Sequence, residues 1–287
     1  MAFRCVPTTD SRHVRCSKLR TLFWQSMHKE IGVKTHHLNM WGFVAALLLG
    51  TAASSANAGE VNAAVAANFT APAQQIVEQF QKESGNTVKL SFGSTGKFYT
   101  QIKEGAPFDV FLAADEKTPN LLVQEGLAVA NTHFVYALGK LVLWSAKPGF
   151  VDDNGAVLSK GSYSKLSYAD PKLAPYGFAA QETLQKLNLW DKVQSKLVTG
   201  ESISQAHQFA ATGNAELSFI ALSQITKNGK VTEGSWWLVP ENLYTPIKQG
   251  AVMLSSAKDK VAAQAFLTYL KSDKAVAIIR SYGYELP

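Results

Sequence analysis

The chain has two cysteines in 287 residues, and both, Cys5 and Cys16, lie near its start. Everything downstream is thiol-free, which excludes a disulfide framework, a thiolate nucleophile and a Cys-ligated metal there. Histidine is almost as scarce. Beyond residue 58 only His133 and His207 remain, and neither falls in a His/Asp/Glu group at metal-ligand spacing. No G-x-S-x-G elbow is present, so a base–nucleophile pair for hydrolysis is lacking. The longest apolar run, Trp41 to Gly50, is shorter than the roughly 20 residues a membrane-spanning helix needs. An excess of positive charge is missing where it would matter. The formal charge is +6, but residues 1–58 hold seven of the 28 Lys/Arg and two of the 22 Asp/Glu, leaving 21 bases against 20 acids downstream. A body so balanced carries no basic patch, and no nucleic-acid partner is expected.

The first 58 residues have the organisation of an export signal. Lys29 and Lys34 precede the apolar run, small residues follow it, and Ala56-Asn57-Ala58 is an A-x-A pattern that predicts cleavage after Ala58. Met27 keeps both lysines ahead of that run and is a better start than Met1 or Met40. No cysteine stands at the cleavage site for lipid attachment, so a free periplasmic protein is expected.

With 46% hydrophobic residues the remainder can bury a substantial core. Its signals alternate. Val61–Ala66 is an apolar strand. Residues 71–83 carry Ala73, Ile76, Val77 and Phe80 at helical spacing and stop at Gly85. Strands at 87–92 and 108–113 alternate with helices near 97–104 and 116–125, a β-α series that implies parallel pairing covered on both faces. The rhythm changes at Phe134–Ala137 and Lys140–Trp144, which read as a crossing into a second lobe. That lobe has strands near 166–169 and 217–220 and helices near 178–187 and 202–212. Pro246-Ile247 and Ala251–Leu254 suggest a return strand, and amphipathic helices at 257–271 and 273–281 close the chain, the first burying Val261, Ala262, Phe266, Leu267 and Leu270. The fold class is therefore α/β, two lobes with mixed, mostly parallel sheets and a cleft between them. The expected division is 1–58 leader, 59–137 plus 248–287 lobe 1, and 138–247 lobe 2.

Ligands of open α/β sheets sit at the carboxyl ends of the strands. Two first-lobe loops lie there, Ala67-Asn68-Phe69-Thr70-Ala71-Pro72 and Gly93-Ser94-Thr95-Gly96-Lys97, each opening a helix. Both offer backbone N–H groups and small neutral polar side chains at a helix N-terminus, the chemistry of an anion site without a fixed cation. In the second lobe Ala174-Pro175-Tyr176-Gly177 and Glu201-Ser202-Ile203-Ser204-Gln205 take the same position, with Ser202 and Gln205 spaced as a capping box that leaves the Ile203 N–H free. Plainer roles stand beside these. Asn68 and Thr70 also suit turns and N-caps, the Gly-Ser-Thr-Gly stretch suits a tight turn and lacks P-loop spacing, Lys97 suits solvent, and Asp115 suits a helix cap. Asp109 or Asp115 facing the cleft would add an acceptor to it.

The motifs taken together resemble one family. Ala-Ala-Asn-Phe-Thr at 66–70, Ser-Phe-Gly-Ser-Thr-Gly-Lys at 91–97, Gly-Ala-Pro-Phe-Asp-Val-Phe-Leu-Ala-Ala-Asp at 105–115, Gly-Lys-Leu-Val-Leu-Trp-Ser at 139–145, Ala-Pro-Tyr-Gly at 174–177 and Leu-Gln-Lys-Leu-Asn-Leu-Trp-Asp at 184–191 follow in order. From Gly59 to Pro287 the chain resembles the periplasmic molybdate-binding proteins of ABC importers, which have the two-lobed type II binding-protein fold. The resemblance implies an oxyanion held by Asn68, with Ala67 beside it, by Thr95, with Ser94 adjacent, and by the backbone of Tyr176 and Ile203. Many members add a Tyr hydroxyl where this chain has Ala221. It further implies molybdate or tungstate as ligand, no cofactor, an inner-membrane ABC permease as partner, a monomer, and no enzymatic activity. A sulfate- or phosphate-type binding protein, or an enzyme on the same two lobes, is the alternative.

Overall fold

A computed structural model describes residues 58–287, so the expected leader lies outside the described residues except for Ala58. The first stretch runs β1 (Glu60–Ala66), a short 3-10 turn (Ala67–Phe69), α1 (Thr70–Ser84), β2 (Thr87–Gly93), α2 (Thr95–Lys103), β3 (Val110–Leu112), α3 (Lys117–Gln124) and β4 (Phe134–Gly139). The second runs β5 (Leu141–Ser145), α4 (Val157–Lys160), β6 (Leu166–Ala169), α5 (Pro175–Lys186), α6 (Trp190–Val193), β7 (Leu197–Gly200), α7 (Ile203–Ala211) and β8 (Leu217–Ala221). A small hairpin, β9 (Thr226–Lys227) and β10 (Lys230–Val231), precedes β11 (Ser235–Leu238). The chain ends with β12 (Ile247–Met253), α8 (Lys260–Tyr269) and α9 (Asp273–Ser281).

Two five-stranded sheets result, in the orders β2-β1-β3-β12-β4 and β11-β5-β8-β6-β7. Each has a parallel trio, β2-β1-β3 in one and β8-β6-β7 in the other, extended by antiparallel strands. The chain passes from the first sheet to the second between β4 and β5 and returns between β11 and β12. Successive residues of the central strands enter opposite cores. Val110 and Leu112 pack with Phe69, Ile76, Phe80 and Phe266, while Phe111 packs with Phe98, Ile102 and Leu122. The second sheet is likewise covered on both faces, with Leu143 and Phe219 on one side and Trp144 and Ile220 on the other. This is why these strands read as unbroken apolar runs.

Most expected elements occupy their places, with four instructive differences. The helix expected near 178 begins at Pro175, the residue type that suits a first helical position, so Tyr176 lies inside the first turn. The Asp259 carboxylate caps α8 by accepting the Ala262 N–H at 2.9 Å. That start turns Val261 outward, 81% exposed, and the buried face is Ala262, Ala263, Phe266 and Leu267. The two return segments are one strand, β12, kept continuous through Gly250 by an irregular register at Gln249/Gly250. The edge strands β7 and β11 carry only four residues each and are half-buried, too short for a periodic signal.

Candidate functional site

Four N–H-rich turns converge where the sheets meet. The 3-10 turn leaves β1, and α2 leaves β2. Across the gap, α5 follows β6 and α7 follows β7. Together with Ala114, just past β3, they line a small cavity of about 10 Å³, room for the centre of one water-sized sphere. Its walls include Ala67, Asn68, Ser94, Thr95, Tyr176 and Ile203. All six residues predicted for the site are thus brought together, and all are buried.

The donors are arranged unequally. Ser94 is the N-cap residue of α2, yet its hydroxyl caps nothing, and its buried Oγ has no partner among the described residues. An N-cap serine ordinarily accepts an N–H from its own first turn. Thr95 Oγ1 accepts the Ala114 N–H at 2.9 Å, which leaves the hydroxyl proton free to donate. Tyr176 and Ile203 are the second and first residues of their helices, where backbone N–H groups have no intrahelical acceptor. Ser202 accepts the Gln205 N–H, as the expected box requires. The Gln205 carboxamide, however, takes the Glu201 N–H at 2.6 Å rather than that of Ser202.

Asn68 is 3% exposed and engaged on one side. Its Nδ2 donates to Gln249 Oε1 at 2.8 Å and to Tyr284 Oη at 2.9 Å, and its carbonyl accepts from Ser223 Oγ at 2.9 Å. These partners were not legible in the sequence. Gln249 and Tyr284 lie far along the chain, and no local pattern marks them. At the position of the missing tyrosine, Ala221 is buried at the end of β8 and does not line the cavity. Ser223, two residues on, reaches Asn68 instead.

No cation or carboxylate lines the cavity. Lys97 pairs with Glu201 across the sheets. Thr70 Oγ1 donates to the Ala67 carbonyl at 2.8 Å, a turn role. Asp109 is spent on the N–H groups of Asn62, at 2.7 Å, and Lys258, at 2.8 Å. Asp115 accepts the Thr118 N–H at 2.7 Å and caps α3, and burial raises its pKa. Close approach of the two halves depends on Gly96. Its N–H donates to the Leu173 carbonyl at 2.9 Å, and a Cβ there would lie 3.0 Å from Leu173 Cα. Gly177 serves α5 in the same way, since a Cβ would fall 2.1 Å from the Ala169 carbonyl oxygen. Among the described residues no His/Cys/Asp/Glu group could hold a metal ion.

Two lobes joined by crossing strands, with a buried cavity of hydrogen-bond donors between them, define a binding protein for a small solute. The chain belongs to the family of bacterial extracellular solute-binding proteins, whose profile matches residues 61–285. Within it, the chain is 59% identical over 243 residues to the molybdate-binding protein ModA of Azotobacter vinelandii, spanning 85% of this chain and 96% of that protein. It is 55% identical over 240 residues to ModA of Rhodobacter capsulatus, spanning 83% and 93%. The fold matches the Azotobacter vinelandii periplasmic molybdate-binding protein with a TM-score of 0.77 at 44% identity, covering 79% of this chain and 99% of that one.

Proposed function

We propose that this chain captures molybdate, and with it tungstate, in the periplasm and delivers it to an ABC permease of the inner membrane, without catalysing a reaction. The observation that carries this reading is the Ser94 hydroxyl, buried and unpartnered in a cavity whose other polar groups are the Thr95 hydroxyl, the Asn68 side chain and helix-start N–H groups. A lone hydroxyl left without a partner in the interior costs about 1–3 kcal/mol, and an anion that accepts from it recovers that. Helix N-termini supply partial positive charge in a dry site, so no lysine or arginine is needed.

Selectivity follows from the same inventory. A shell made of donors suits a tetrahedral dianion with four accepting oxygens. It disfavours singly protonated phosphate, whose O–H would find no carboxylate, because Asp109 and Asp115 are committed elsewhere. A four-oxygen anion is larger than this cavity, so the lobes part to admit and release it. We take the lobes to hinge at the two crossings, after Gly139 of β4 and before Ile247 of β12, within two residues of the expected bounds of 59–137 plus 248–287 and 138–247.

Thermal unfolding of the chain from Gly59 to Pro287 tests the reading. A ligand at about 100 times its Kd stabilises the folded state by about 2.7 kcal/mol, and micromolar molybdate is expected to raise Tm while equal phosphate does not. A rise with phosphate and none with molybdate would overturn the assignment. Turnover of phosphate or sulfate esters in a parallel screen would overturn the non-enzymatic reading.

A further inference from the structure

Beneath Asn68 lies a fully buried polar cluster that joins both lobes. Gln249, 0% exposed on β12, accepts from Asn68 Nδ2 at 2.8 Å and from Tyr136 Oη at 3.0 Å through Oε1, and its Nε2 donates to Tyr176 Oη at 3.3 Å. Tyr284 Oη accepts from Asn68 Nδ2 and lies 2.9 Å from both the Asn68 carbonyl and Ser223 Oγ. Tyr136 Oη also lies 3.2 Å from the Ala113 carbonyl. Gly139 makes room for the cluster, since a Cβ there would fall 2.1 Å from Tyr176 Oη and 2.8 Å from Gln249 Nε2.

In this arrangement both Asn68 amide protons are spent inside the cluster, and its Oδ1, an acceptor, takes no hydrogen bond from the described residues. An oxyanion seated against Asn68 would then meet oxygen facing oxygen. Turning the Asn68 and Gln249 carboxamides together by half a turn reverses the bonds that link them to each other, Tyr136, Tyr176 and Tyr284, at the cost of one: Tyr284, with a single proton, gives up its bond to the Asn68 carbonyl or Ser223. Gln249 Nε2 then donates to Asn68 Oδ1 and to Tyr136 Oη, Tyr136 donates to the Ala113 carbonyl, Tyr176 donates to Gln249 Oε1, and Tyr284 donates to Asn68 Oδ1. The reversal is available because hydroxyls both donate and accept. Burial keeps them neutral, holding Tyr136 and Tyr176 well above the ordinary tyrosine pKa and Tyr284 at about 12. Both Asn68 N–H groups are then free for the ligand.

We propose that Gln249 is a positioning residue for oxyanion binding: paired with Asn68, it sets which end of that carboxamide the ligand meets, and it ties the choice to Tyr176, whose backbone N–H approaches the ligand from the other lobe. This rests on the oxyanion reading of the site and adds a residue that does not touch the ligand.

A double-mutant cycle tests it, with molybdate as the probe and calorimetry as the readout, on Gln249→Met, Asn68→Ala and the double variant. Gln249→Met is expected to weaken binding at least tenfold in the parent and less than twofold when Asn68 is already alanine. Equal losses in both backgrounds, or none in either, would overturn the proposal. Because Gln249→Met removes buried partners and could fail to fold, the parent protein supplies a second measurement. With molybdate bound, the Gln249 side-chain NH₂ protons should show nuclear Overhauser contacts to the Tyr136 ring; contacts to Tyr176 alone would refute the turned amide. Absence of molybdate binding by the parent would instead defeat the functional reading itself.

Discussion

Replacing Thr95 by valine separates the two jobs of one hydroxyl. Valine keeps the shape and β-branching of threonine, so packing at this 2%-exposed position is preserved. Removing Oγ1 strips the Ala114 N–H of its acceptor at 2.9 Å at a buried position. Leaving such a donor unsatisfied costs about 1–3 kcal/mol. At about 2–4 °C per kcal/mol for a domain of this size, the ligand-free Tm should fall by about 2–12 °C. The ligand loses a hydrogen bond to a charged acceptor, worth about 1.5–3 kcal/mol. At about 1.4 kcal/mol per tenfold, affinity for molybdate should fall by about 10- to 150-fold. Thr95→Ser, which retains the hydroxyl, should bind within about threefold of the parent, the loss of one methyl being minor for the bond. The assay is titration calorimetry of all three proteins alongside unfolding curves without ligand. A valine variant with lowered Tm and unchanged affinity would refute the placement of the Thr95 proton toward the ligand.

Other perturbations should respond differently. Ser94→Ala removes a hydroxyl that makes no hydrogen bond, so the ligand-free Tm should hold or rise while molybdate affinity drops about tenfold, and a lowered Tm would indicate an undetected partner. Lys97→Ala breaks an exposed ion pair across the lobes. Affinity should change by less than about fivefold, and the difference should vanish in 1 M salt. Burial raises the Asp115 pKa above its unfolded value, so folding favours the protonated acid and this contribution is lost as pH rises through the folded pKa. Asp115→Asn keeps the cap acceptor and should raise Tm at pH 7, with the gain shrinking toward pH 3; a constant gain across that range would contradict the assignment.

How far the sequence reaches can be judged residue by residue. The strands β1, β5 and β8 announce themselves because both their faces are buried, the edge strand β2 because apolar and polar residues alternate along it, and α1 because Ile76, Val77 and Phe80 share a face. The loops that line the cavity were legible for a related reason: in a parallel sheet the strand-to-helix turns fall at one edge, and small polar residues there have few other uses. Val261 misled because apolar periodicity does not reveal which residue starts a helix, and the Asp259 cap decides that. Thr70, Lys97, Asp109 and Asp115 all carry plausible anion-site chemistry, and only the partners they meet show that each is engaged elsewhere. The support of Asn68 was invisible for a deeper reason. Gln249, Tyr284 and Ser223 are brought to it by the return crossing and the lobe junction, so their relation exists only in three dimensions.

The central claim is that a donor-lined cavity between the lobes takes a fully ionised tetrahedral oxyanion, molybdate, in preference to protonated phosphate. The most direct measurement is calorimetric titration of residues 59–287 with molybdate, tungstate and phosphate at one pH and ionic strength. Molybdate and tungstate should bind with micromolar or lower Kd, and phosphate at least a hundredfold more weakly. Phosphate binding as tightly as molybdate, or no heat with molybdate at all, would contradict it.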